Sequence, residues 1–249
     1  MEIKIQDLKK NYGQKTVLDN ISLTIGNGMF GLLGRNGAGK TTLLHILSTL
    51  GEPTSGTVTF DNIPLEDTRK VRPLIGFLPQ EFSLYPDMSV QEIMRYLAAL
   101  SNLPAEVQRQ RIPDLLKRVN LWEDKGKKVR KLSGGMKRRL GIAGALLHDP
   151  QVLIADEPTV GLDPQERLRF YELLREFSRS RVVIVSTHIV SDIEAVCERV
   201  AVLDAGKLLF TGKVEALAQK AAGSSTHHTA TVEDGYMEML RQLEREEEK

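Results

Sequence analysis

The residues best suited to chemistry lie in the stretch Met29–Leu50, MFGLLGRNGAGKTTLLHILSTL. A short apolar run leads into a glycine-rich turn, and the frame Gly34-x-x-x-x-Gly39-Lys40-Thr41 matches the P-loop pattern at every position. Backbone N–H groups in such a turn bind phosphate at a helix N-terminus, the lysine reaches the terminal phosphates, and the threonine hydroxyl ligates Mg²⁺. The alternative, an ordinary glycine-rich helix cap, is disfavoured by the strand, turn and helix order. The stretch therefore predicts a nucleoside triphosphate site.

Two consecutive acids follow a second apolar run. Residues Gln151–Ala155 are typical of a buried strand in a parallel sheet, and Asp156 and Glu157 stand at its end. In the P-loop ATPase template an aspartate at this place holds Mg²⁺, directly or through water. Glu157 directly follows Asp156 in the sequence, so its side chain points in a different direction from that of Asp156. It is therefore the candidate general base for an attacking water. A pair of surface acids is the alternative, which the upstream P-loop disfavours.

A second helix start suited to an anion occurs at LSGGM, residues 132–136. Ser133 supplies a hydroxyl, Gly134 and Gly135 supply backbone N–H groups, and a helix predicted from Lys137 supplies its dipole. For an isolated occurrence, a plain serine N-cap with glycines in the entry turn is the favoured interpretation. That interpretation weakens because one chain rarely needs two such anion sites.

Two further residues are ambiguous when taken singly. Tyr12 lies between the alternating strands predicted at Glu2–Leu8 and Val17–Ile25. A base stacked on its ring would gain about 1–3 kcal/mol, although a partly buried strand-end tyrosine is the commoner case. His188 follows the apolar strand Arg181–Ser186, where a lone histidine is more often a hydrogen-bonded structural residue.

The elements that must position these residues are strands alternating with helices. Strands are predicted at Thr57–Phe60 and Leu74–Leu78, and helices dominate Ser89–Leu147 as a lobe inserted between strands. Ser89 is predicted to cap the first of these helices, Val90–Leu100. Pro113 falls inside the second helix of this lobe and predicts a kink or break there. Asp163 is followed by proline and predicts the N-cap of a further helix.

Composition limits the class of protein. The 249 residues include 34 Lys and Arg against 33 Asp and Glu, so the formal charge of +1 gives no electrostatic case for nucleic acid as the main partner. Cys197 is the single cysteine, which excludes an internal disulfide and fits the cytosol. The start of the sequence lacks the apolar core of a signal peptide, and no stretch approaches the roughly 20 apolar residues of a membrane span.

The C-terminal end has a different texture. Gly223–Thr229 is typical of a linker, and its His227 and His228 are interpreted as loop residues because no carboxylate or cysteine neighbours them. Glu233–Lys249 predicts an amphipathic helix whose seven acids and three basic residues leave a net charge of −4. We expect this helix to be solvated.

Six elements, in this order and spacing, resemble the nucleotide-binding subunit of an ATP-binding cassette (ABC) transporter: GRNGAGKTT, Gln80, LSGGM, VLIADEP, GLD and His188. The resemblance covers Glu2 to about Ala221, and LSGG downstream of a P-loop is its most specific part. It implies an α/β fold: a P-loop NTPase core with a mainly parallel sheet, an N-terminal antiparallel β subdomain and an inserted α-helical subdomain at about 86–147. The ATPase domain would span 1–222, with linker and C-terminal helix at 223–249.

The resemblance also implies how one chain would bind its nucleotide. Tyr12 would stack on adenine and Val17 would lie near the ribose. Gln80 would reach Mg²⁺ and sense the γ-phosphate, with Thr41 and Asp156 as further Mg²⁺ ligands. The phosphates would be held by nine consecutive residues: Gly34, Arg35, Asn36, Gly37, Ala38, Gly39, Lys40, Thr41 and Thr42.

Catalysis in such a protein would combine residues of one chain with those of a second. Glu157 would polarise the attacking water, and His188 would contact the γ-phosphate. The γ-phosphate held by the opposing subunit would be bound by Ser133, Gly134 and Gly135, and Asp163 would lie at that interface. The chain departs from many relatives at Met136, where they have glutamine, and at residues 27–30 ahead of the P-loop. We expect little loss from Met136, since the serine and backbone amides carry the phosphate contact.

The function that the resemblance implies is ATP binding and hydrolysis with Mg²⁺ in a dimer, most simply a homodimer, that closes around two ATP. Separate membrane permease subunits would carry the substrate, with Glu81–Asp87 at or near their contact, so the chain would lie at the cytoplasmic face of the membrane. Bacterial exporter subunits look most similar, whereas the cargo is not encoded here. The alternative is a soluble ABC-type ATPase that acts on ribosomes or DNA. A P-loop kinase or GTPase is a weaker third, which LSGG and the absent N-K-x-D element disfavour.

Overall fold

The structure, a computed structural model, describes residues 1–221 and 231–247. The strands are β1 (Ile3–Tyr12), β2 (Lys15–Ile25), β3 (Gly28–Leu33), β4 (Ser55–Phe60), β5 (Ile63–Pro64), β6 (Ile75–Leu78), β7 (Val152–Asp156), β8 (Val182–Thr187), β9 (Arg199–Asp204) and β10 (Lys207–Lys213). The α-helices are α1 (Lys40–Leu47), α2 (Thr68–Val71), α3 (Val90–Leu100), α4 (Ala105–Arg118), α5 (Gly134–Ala145), α6 (Pro164–Ser178), α7 (Val190–Val196), α8 (Val214–Ala218) and α9 (Val232–Glu247). Within these ranges, the helices are all too short or too polar to cross a membrane.

The N-terminal sheet is antiparallel and has the strand order β2-β1-β4-β5. The predicted alternation is present in β1, where Ile3 and Ile5 are buried while Lys4 and Gln6 are exposed. One face of this sheet therefore joins the core and the other meets solvent. The hairpin between β1 and β2 pairs Tyr12 with Lys15 at its tip.

The larger sheet has the strand order β10-β9-β3-β8-β7-β6, and every neighbouring pair is parallel except β10 with β9. This mixture of an antiparallel N-terminal sheet and a mainly parallel sheet confirms the predicted fold class. The carboxyl ends of parallel strands meet at one edge of a sheet. The turn after β3 is therefore brought beside the ends of β7 and β8, where Asp156 and Thr187 stand.

Burial on both faces explains why the strands of this sheet are continuous apolar runs. On β7, Val152 and Ile154 belong to the apolar cluster shared with the N-terminal sheet and α1. Leu153 and Ala155 face the opposite way, into the cluster shared with α3 to α9. The sheet that carries the P-loop is thus held between two cores.

Helices α3, α4 and α5 form the inserted lobe, and Ser89 caps α3 through a capping box, as predicted. The predicted break at Pro113 is wrong, because α4 continues through the proline without interruption. A proline inside a helix removes one backbone hydrogen bond. Ile112 and Leu115 beside it are buried, and their packing keeps the helix intact despite that loss.

Helix α9 is amphipathic, as predicted, but it packs on the domain instead of standing in solvent. Its buried hydrophobic residues Val232, Tyr236 and Leu240 recur every four positions, and α9 contacts α7 and α8. The expectation of a solvated helix is corrected accordingly, because these three side chains complete the core on this side. The predicted linker Gly223–Thr229 lies outside the described residues.

Replacing Pro113 by alanine tests the account of α4. Pro113→Ala is expected to raise the free energy of unfolding by about 1–3 kcal/mol, because it restores a backbone donor in the middle of the helix. Urea denaturation measures this change. Pro104→Ala is the control, since Pro104 is the N-cap residue and replaces no helical donor. A destabilised Pro113→Ala would show that contacts of the proline ring outweigh the lost hydrogen bond.

Candidate functional site

The turn between β3 and α1 has a backbone that only glycine adopts easily. Gly37 and Gly39 have φ angles of 83° and 103°. A Cβ on Gly39 would lie 2.9 Å from the carbonyl oxygen of Val17 and 2.7 Å from the side chain of Leu18. Both glycines are therefore required by the path of the turn, and Gly39 is required also by the close approach of β2.

Lys40 opens α1 with its ammonium group held inside the turn. The side chain is only 6% exposed, and Nζ donates to the carbonyl oxygen of Gly34 at 2.7 Å and to that of Arg35 at 3.3 Å. Nζ also lies 3.4 Å from Glu157 Oε1, whose side chain is equally buried. The buried charge is thus compensated by two carbonyl dipoles and one carboxylate.

Asp156 and Glu157 lie at the end of β7, and Ser186 of the neighbouring strand joins them. The two strands are in register at Asp156 and Ser186. Ser186 Oγ donates to Asp156 Oδ1 and accepts from the Glu157 N–H at 2.9 Å. Glu157 has a φ angle of 44°, a left-handed conformation that costs a non-glycine residue about 1–3 kcal/mol. A single hydroxyl therefore orients both acids.

His188 extends the same cluster toward solvent. Its Nδ1 lies 3.0 Å from Glu157 Oε2 and 3.1 Å from Oε1. The imidazole is 44% exposed, whereas the Glu157 side chain is 6% exposed. The Glu157 carboxylate is therefore bound by Lys40 on its buried side and by His188 on the side nearer solvent.

Asp156 meets the requirement for a cation ligand. Its carboxylate is 1% exposed, and Oδ2 has no hydrogen-bond partner in the described part of the chain. A buried anionic oxygen without a partner is costly unless something positive binds it. Carboxylate and hydroxyl oxygens are also the donors that Mg²⁺ prefers, so Asp156 fits the predicted ion.

An open cavity of about 600 Å³ lies above the P-loop. It is lined by these residues: Lys15, Thr16, Val17, Arg35, Asn36, Gly37, Gly39, Lys40, Thr41, Thr42, Gln80, Glu157, Ala205 and Gly206. Most of the predicted nucleotide-binding residues are therefore brought together. Among described residues, the predicted ones that do not line this cavity are Tyr12, Gly34, Ala38, Ser133, Gly134, Gly135, Asp156, Asp163 and His188.

The predicted residues outside the lining have different surroundings. Tyr12 is 57% exposed at the hairpin tip, with Lys10 Nζ 4.8 Å from its ring centroid, and its pairing partner Lys15 lines the cavity. Gly34 supplies the carbonyl that binds Lys40. Ala38 is buried, and its carbonyl accepts from the Gly206 N–H at 3.1 Å. Gly34 therefore stabilises the turn from within, and Ala38 joins it to the turn between β9 and β10.

Arg35 anchors the turn from outside. Its Nε and Nη2 atoms donate to the two carboxylate oxygens of Asp204 at 2.9 and 2.7 Å, and Asp204 is buried at the end of β9. A two-point guanidinium–carboxylate pair fixes orientation as well as distance. The P-loop is thereby tied to a third strand of the sheet.

The LSGG element begins a helix elsewhere on the surface. Helix α5 starts at Gly134, earlier than the predicted Lys137, and Ser133 is its N-cap, accepting from the Met136 N–H at 3.1 Å. Ser133 and Gly134 are exposed. Asp163 likewise caps α6 and accepts from the Glu166 N–H at 2.9 Å.

Gln80 connects this region with the P-loop. It lines the P-loop cavity and also a second open cavity of about 680 Å³, whose lining includes Gly134, Arg138 and Gly161. Gln80 is exposed at the end of β6. Gln80 therefore lies between the P-loop cavity and the cavity that contains Gly134 of the LSGG element.

Two residues that position Asp156 and Glu157 were not predicted from the sequence. Ser186 bridges Asp156 and Glu157, and the only signal for it was its place just before Thr187 at a strand end. Arg138 donates to the Glu157 carbonyl from α5. Burial lowers the pKa of the Arg138 guanidinium. The carboxylates of Asp156 and Glu157 oppose this shift because they favour the charged form. No short motif predicts either contact.

A P-loop that opens a helix, with two acids at the end of a nearby parallel strand, defines a P-loop nucleoside triphosphatase. Comparison with known proteins narrows this class. The sequence profile described as "ABC transporter" matches residues 18–160. The Nod factor export ATP-binding protein I of Ralstonia nicotianae is 40% identical over 215 residues, which are 85% of this chain and 67% of that protein. The linearmycin resistance ATP-binding protein LnrL of Bacillus subtilis is 34% identical over 226 residues, 90% of this chain and 73% of that protein.

Solved structures agree. The structure of an ATP-binding subunit of an ABC transporter superposes with a TM-score of 0.85 at 26% identity, covering 96% of this chain and all 100% of that one. A dimeric ATP-binding cassette in a post-hydrolysis state with ADP and Pi has a TM-score of 0.76 at 30% identity, covering 85% of this chain and 98% of that one. The chain belongs to the ABC transporter family, and it is an ATP-binding, ATP-hydrolysing subunit.

The role of Ser186 can be tested by alanine. Ser186→Ala is expected to lower the free energy of unfolding by about 1–3 kcal/mol, because it leaves the Glu157 N–H without an acceptor, and to slow ATP hydrolysis. Ser178→Ala removes a buried hydroxyl from the end of α6, remote from the cavity, and serves as control. Denaturant titration and steady-state ATPase assays give both quantities. Unchanged stability and turnover in Ser186→Ala would contradict the bridging role.

Proposed function

We propose that this chain powers export by working as a dimer in which each ATP is held between the P-loop of one subunit and the LSGG element of the other. The observation that carries the proposal is the separation of Ser133, Gly134 and Gly135 from the P-loop cavity, whose described lining does not include them. An exposed serine N-cap with adjacent N–H groups and a helix dipole is suited to an anion. A second copy supplies the phosphate, most simply as a homodimer.

Within one subunit, the P-loop residues Gly34–Thr42 hold the phosphates and Lys40 neutralises them. Glu157 accepts a proton from the attacking water. Its contacts with Lys40 and His188 support this role, because a general base must be held within hydrogen-bond reach of the proton that it removes. The exposed edge of the His188 ring is free to contact the γ-phosphate. Tyr12 and Val17 bind the adenine and ribose at the hairpin side of the cavity.

Mg²⁺ would be held by Thr41, Gln80 and Asp156. Two of them line the cavity, and Asp156 contributes the buried oxygen without a partner. When bound, the ion neutralises charge that develops on the transferred phosphoryl group. The protein groups align the nucleotide and shield the reaction from bulk water once the dimer closes.

Closure and opening of the dimer are the output of hydrolysis. The γ-phosphate contributes negative charge that joins the two subunits at Ser133–Gly135, and its loss removes that attraction. Asp163 lies at the closing interface. The dimeric cassette among the similar structures supports this arrangement.

The surface for a membrane permease is formed by Glu81–Asp87 and the neighbouring lobe. Tyr85 and Tyr96 are 55% and 38% exposed and stack edge to face with centroids 5.4 Å apart, and Leu100 on the same helix as Tyr96 is 63% exposed. Exposed aromatic and aliphatic side chains of this kind suit a protein partner. In this proposal residues 1–222 form the ATPase domain, residues 86–147 its helical subdomain, and the chain lies at the cytoplasmic face of the membrane.

Export is favoured because the relatives named above act in Nod factor export and linearmycin resistance. The cargo contacts the permease, so this chain carries no residues for it. Affinity purification from solubilised membranes distinguishes this proposal from a ribosome- or DNA-associated ATPase. Recovery of a multi-span membrane protein supports it, whereas recovery of ribosomes or DNA contradicts it.

The catalytic assignment has a direct test. Glu157→Gln is expected to bind ATP normally and to slow hydrolysis by about 10²–10⁴-fold, since the amide cannot accept the proton. Glu172→Gln, an exposed acid on α6, is the control with unchanged turnover. Equilibrium ATP binding and phosphate release are the measurements. Full turnover in Glu157→Gln would show that another group is the base.

The dimer proposal is tested at the second anion site. Ser133→Arg, introduced beside Glu157→Gln to prevent hydrolysis, is expected to abolish ATP-driven dimerisation while ATP binding persists, because the arginine fills the phosphate position. Ser101→Arg, at the exposed end of α3, is the control that still dimerises. Light scattering with and without ATP reports the mass. A normal ATP-dependent dimer of Ser133→Arg would refute the shared site.

A further inference from the structure

We propose that Arg138 is a positioning residue for ATP hydrolysis: its guanidinium holds the backbone of Glu157 and of Gln80 together, so that the general base stays aimed at the P-loop cavity. This inference rests on the roles proposed above for those two residues. Arg138 touches neither nucleotide nor water in this scheme. It acts through the main chain of the two residues that do.

The contacts of Arg138 are unusually complete for one side chain. From α5, it reaches the ends of two strands and donates to four backbone carbonyl oxygens. These are Pro158 at 3.0 Å from Nε, Pro79 at 3.1 Å and Gln80 at 2.7 Å from Nη1, and Glu157 at 2.8 Å from Nη2. The residue is 7% exposed, so water does not replace these donors readily. A planar guanidinium with a fixed fan of donors is the side chain suited to such a task.

The contact with Glu157 matters because that residue is strained. Its left-handed φ angle of 44° persists only if its surroundings hold it there. Ser186 Oγ accepts from its N–H on one side, and Arg138 donates to its carbonyl oxygen on the other. The peptide groups flanking Glu157 are therefore both clamped, which fixes the direction in which the carboxylate leaves the chain.

The contacts with Pro79 and Gln80 bring the second segment into the same frame. The two carbonyls belong to the residues that follow the last residue of β6, and Gln80 lines the cavity that contains Lys40 and Glu157. Since one guanidinium binds both segments, Gln80 and Glu157 cannot move independently. Loss of Arg138 would leave four carbonyl oxygens without this donor, and Glu157 could then relax to an ordinary conformation with its carboxylate displaced.

Displacement of Glu157 without a change in the P-loop is expected to affect kcat and KM differently. Lys40 and the P-loop do not contact Arg138 by any hydrogen bond described in this structure, so ATP affinity should be retained. A shift of about 1 Å in a catalytic group can cost about 10²-fold in rate. The effect is therefore expected in kcat and not in KM.

Arg138→Met tests this in the 249-residue chain, because methionine keeps an apolar stem against Phe82, near which the guanidinium lies. Turnover of Arg138→Met is expected to fall about 10–100-fold with an ATP dissociation constant within about threefold of the wild-type value. Arg138→Lys restores one cationic donor and should recover part of kcat. If Arg138→Met does not fold, the lysine variant still gives the comparison.

Arg139→Met is the matched control on the same helix. Arg139 also donates to two carbonyl oxygens, those of Val119 and Asn120, each at 3.0 Å, and pairs with Glu166, but these contacts lie within the lobe and α6. Its loss should lower the melting temperature similarly while kcat stays within about threefold. Equal losses of kcat in both arginine variants at equal loss of stability would overturn the proposal, since Arg138 would then be a general buttress.

Glu157→Gln, assayed in parallel, distinguishes the positioning role of Arg138 from the general-base role of Glu157. If Glu157→Gln is inactive and Arg138→Met is fully active, the positioning role fails while the general base stands. If Glu157→Gln retains turnover, the proposed base is wrong, whatever Arg138 does. A selective loss of kcat in Arg138→Met, partly restored by lysine, supports the positioning role.

Discussion

The buried pair of Lys40 with Glu157 is the interaction on which the site depends. Burying a charge without compensation costs several kcal/mol, so the pair persists only where further groups surround it. The carbonyls of Gly34 and Arg35 provide this for the ammonium, and His188 provides it for the carboxylate. The P-loop, the end of β7 and the end of β8 are thereby locked into one arrangement.

The parallel sheet makes this arrangement possible. Strands β3, β8 and β7 are adjacent, so their carboxyl ends deliver the P-loop, His188 and the two acids to one edge. Arg35 with Asp204 adds β9 to the same edge. The LSGG element lies on the inserted lobe instead, and Gln80 borders both regions. Within one chain, the P-loop and the start of the LSGG helix therefore line different cavities.

Residues whose chemistry is specified by short motifs could be predicted from the sequence. The P-loop, the paired acids and the caps at Ser89 and Asp163 depend on local spacing, and the structure has each where the pattern predicted. The periodic apolar runs likewise predicted strands that alternate with helices, whereas the fold class was implied by the family resemblance. These features could be predicted because residues close in sequence determine them.

Contacts between distant segments were not predictable in this way. Ser186 is 30 positions from Asp156, and Arg138 is 19 from Glu157, so their roles follow from strand register and helix docking. At Pro113 and in α9, contacts between distant segments made the local predictions wrong. Tertiary packing keeps α4 continuous through its proline, and it covers a helix whose acidic composition suggested solvent.

The proposed binding of each ATP by two chains is tested most directly by mixing two inactive variants. Lys40→Ala lacks the phosphate-binding lysine, and Ser133→Arg lacks the second anion site, so neither variant alone forms an intact composite site. A mixed dimer has one intact site, built from the P-loop of one variant and the LSGG element of the other. A mixed dimer has one intact site of two, so an equimolar mixture is expected to recover between about a quarter of wild-type ATP turnover, if all chains pair at random, and about a half, if only mixed dimers form. Turnover no greater than the mean of the two separate variants would contradict the shared site.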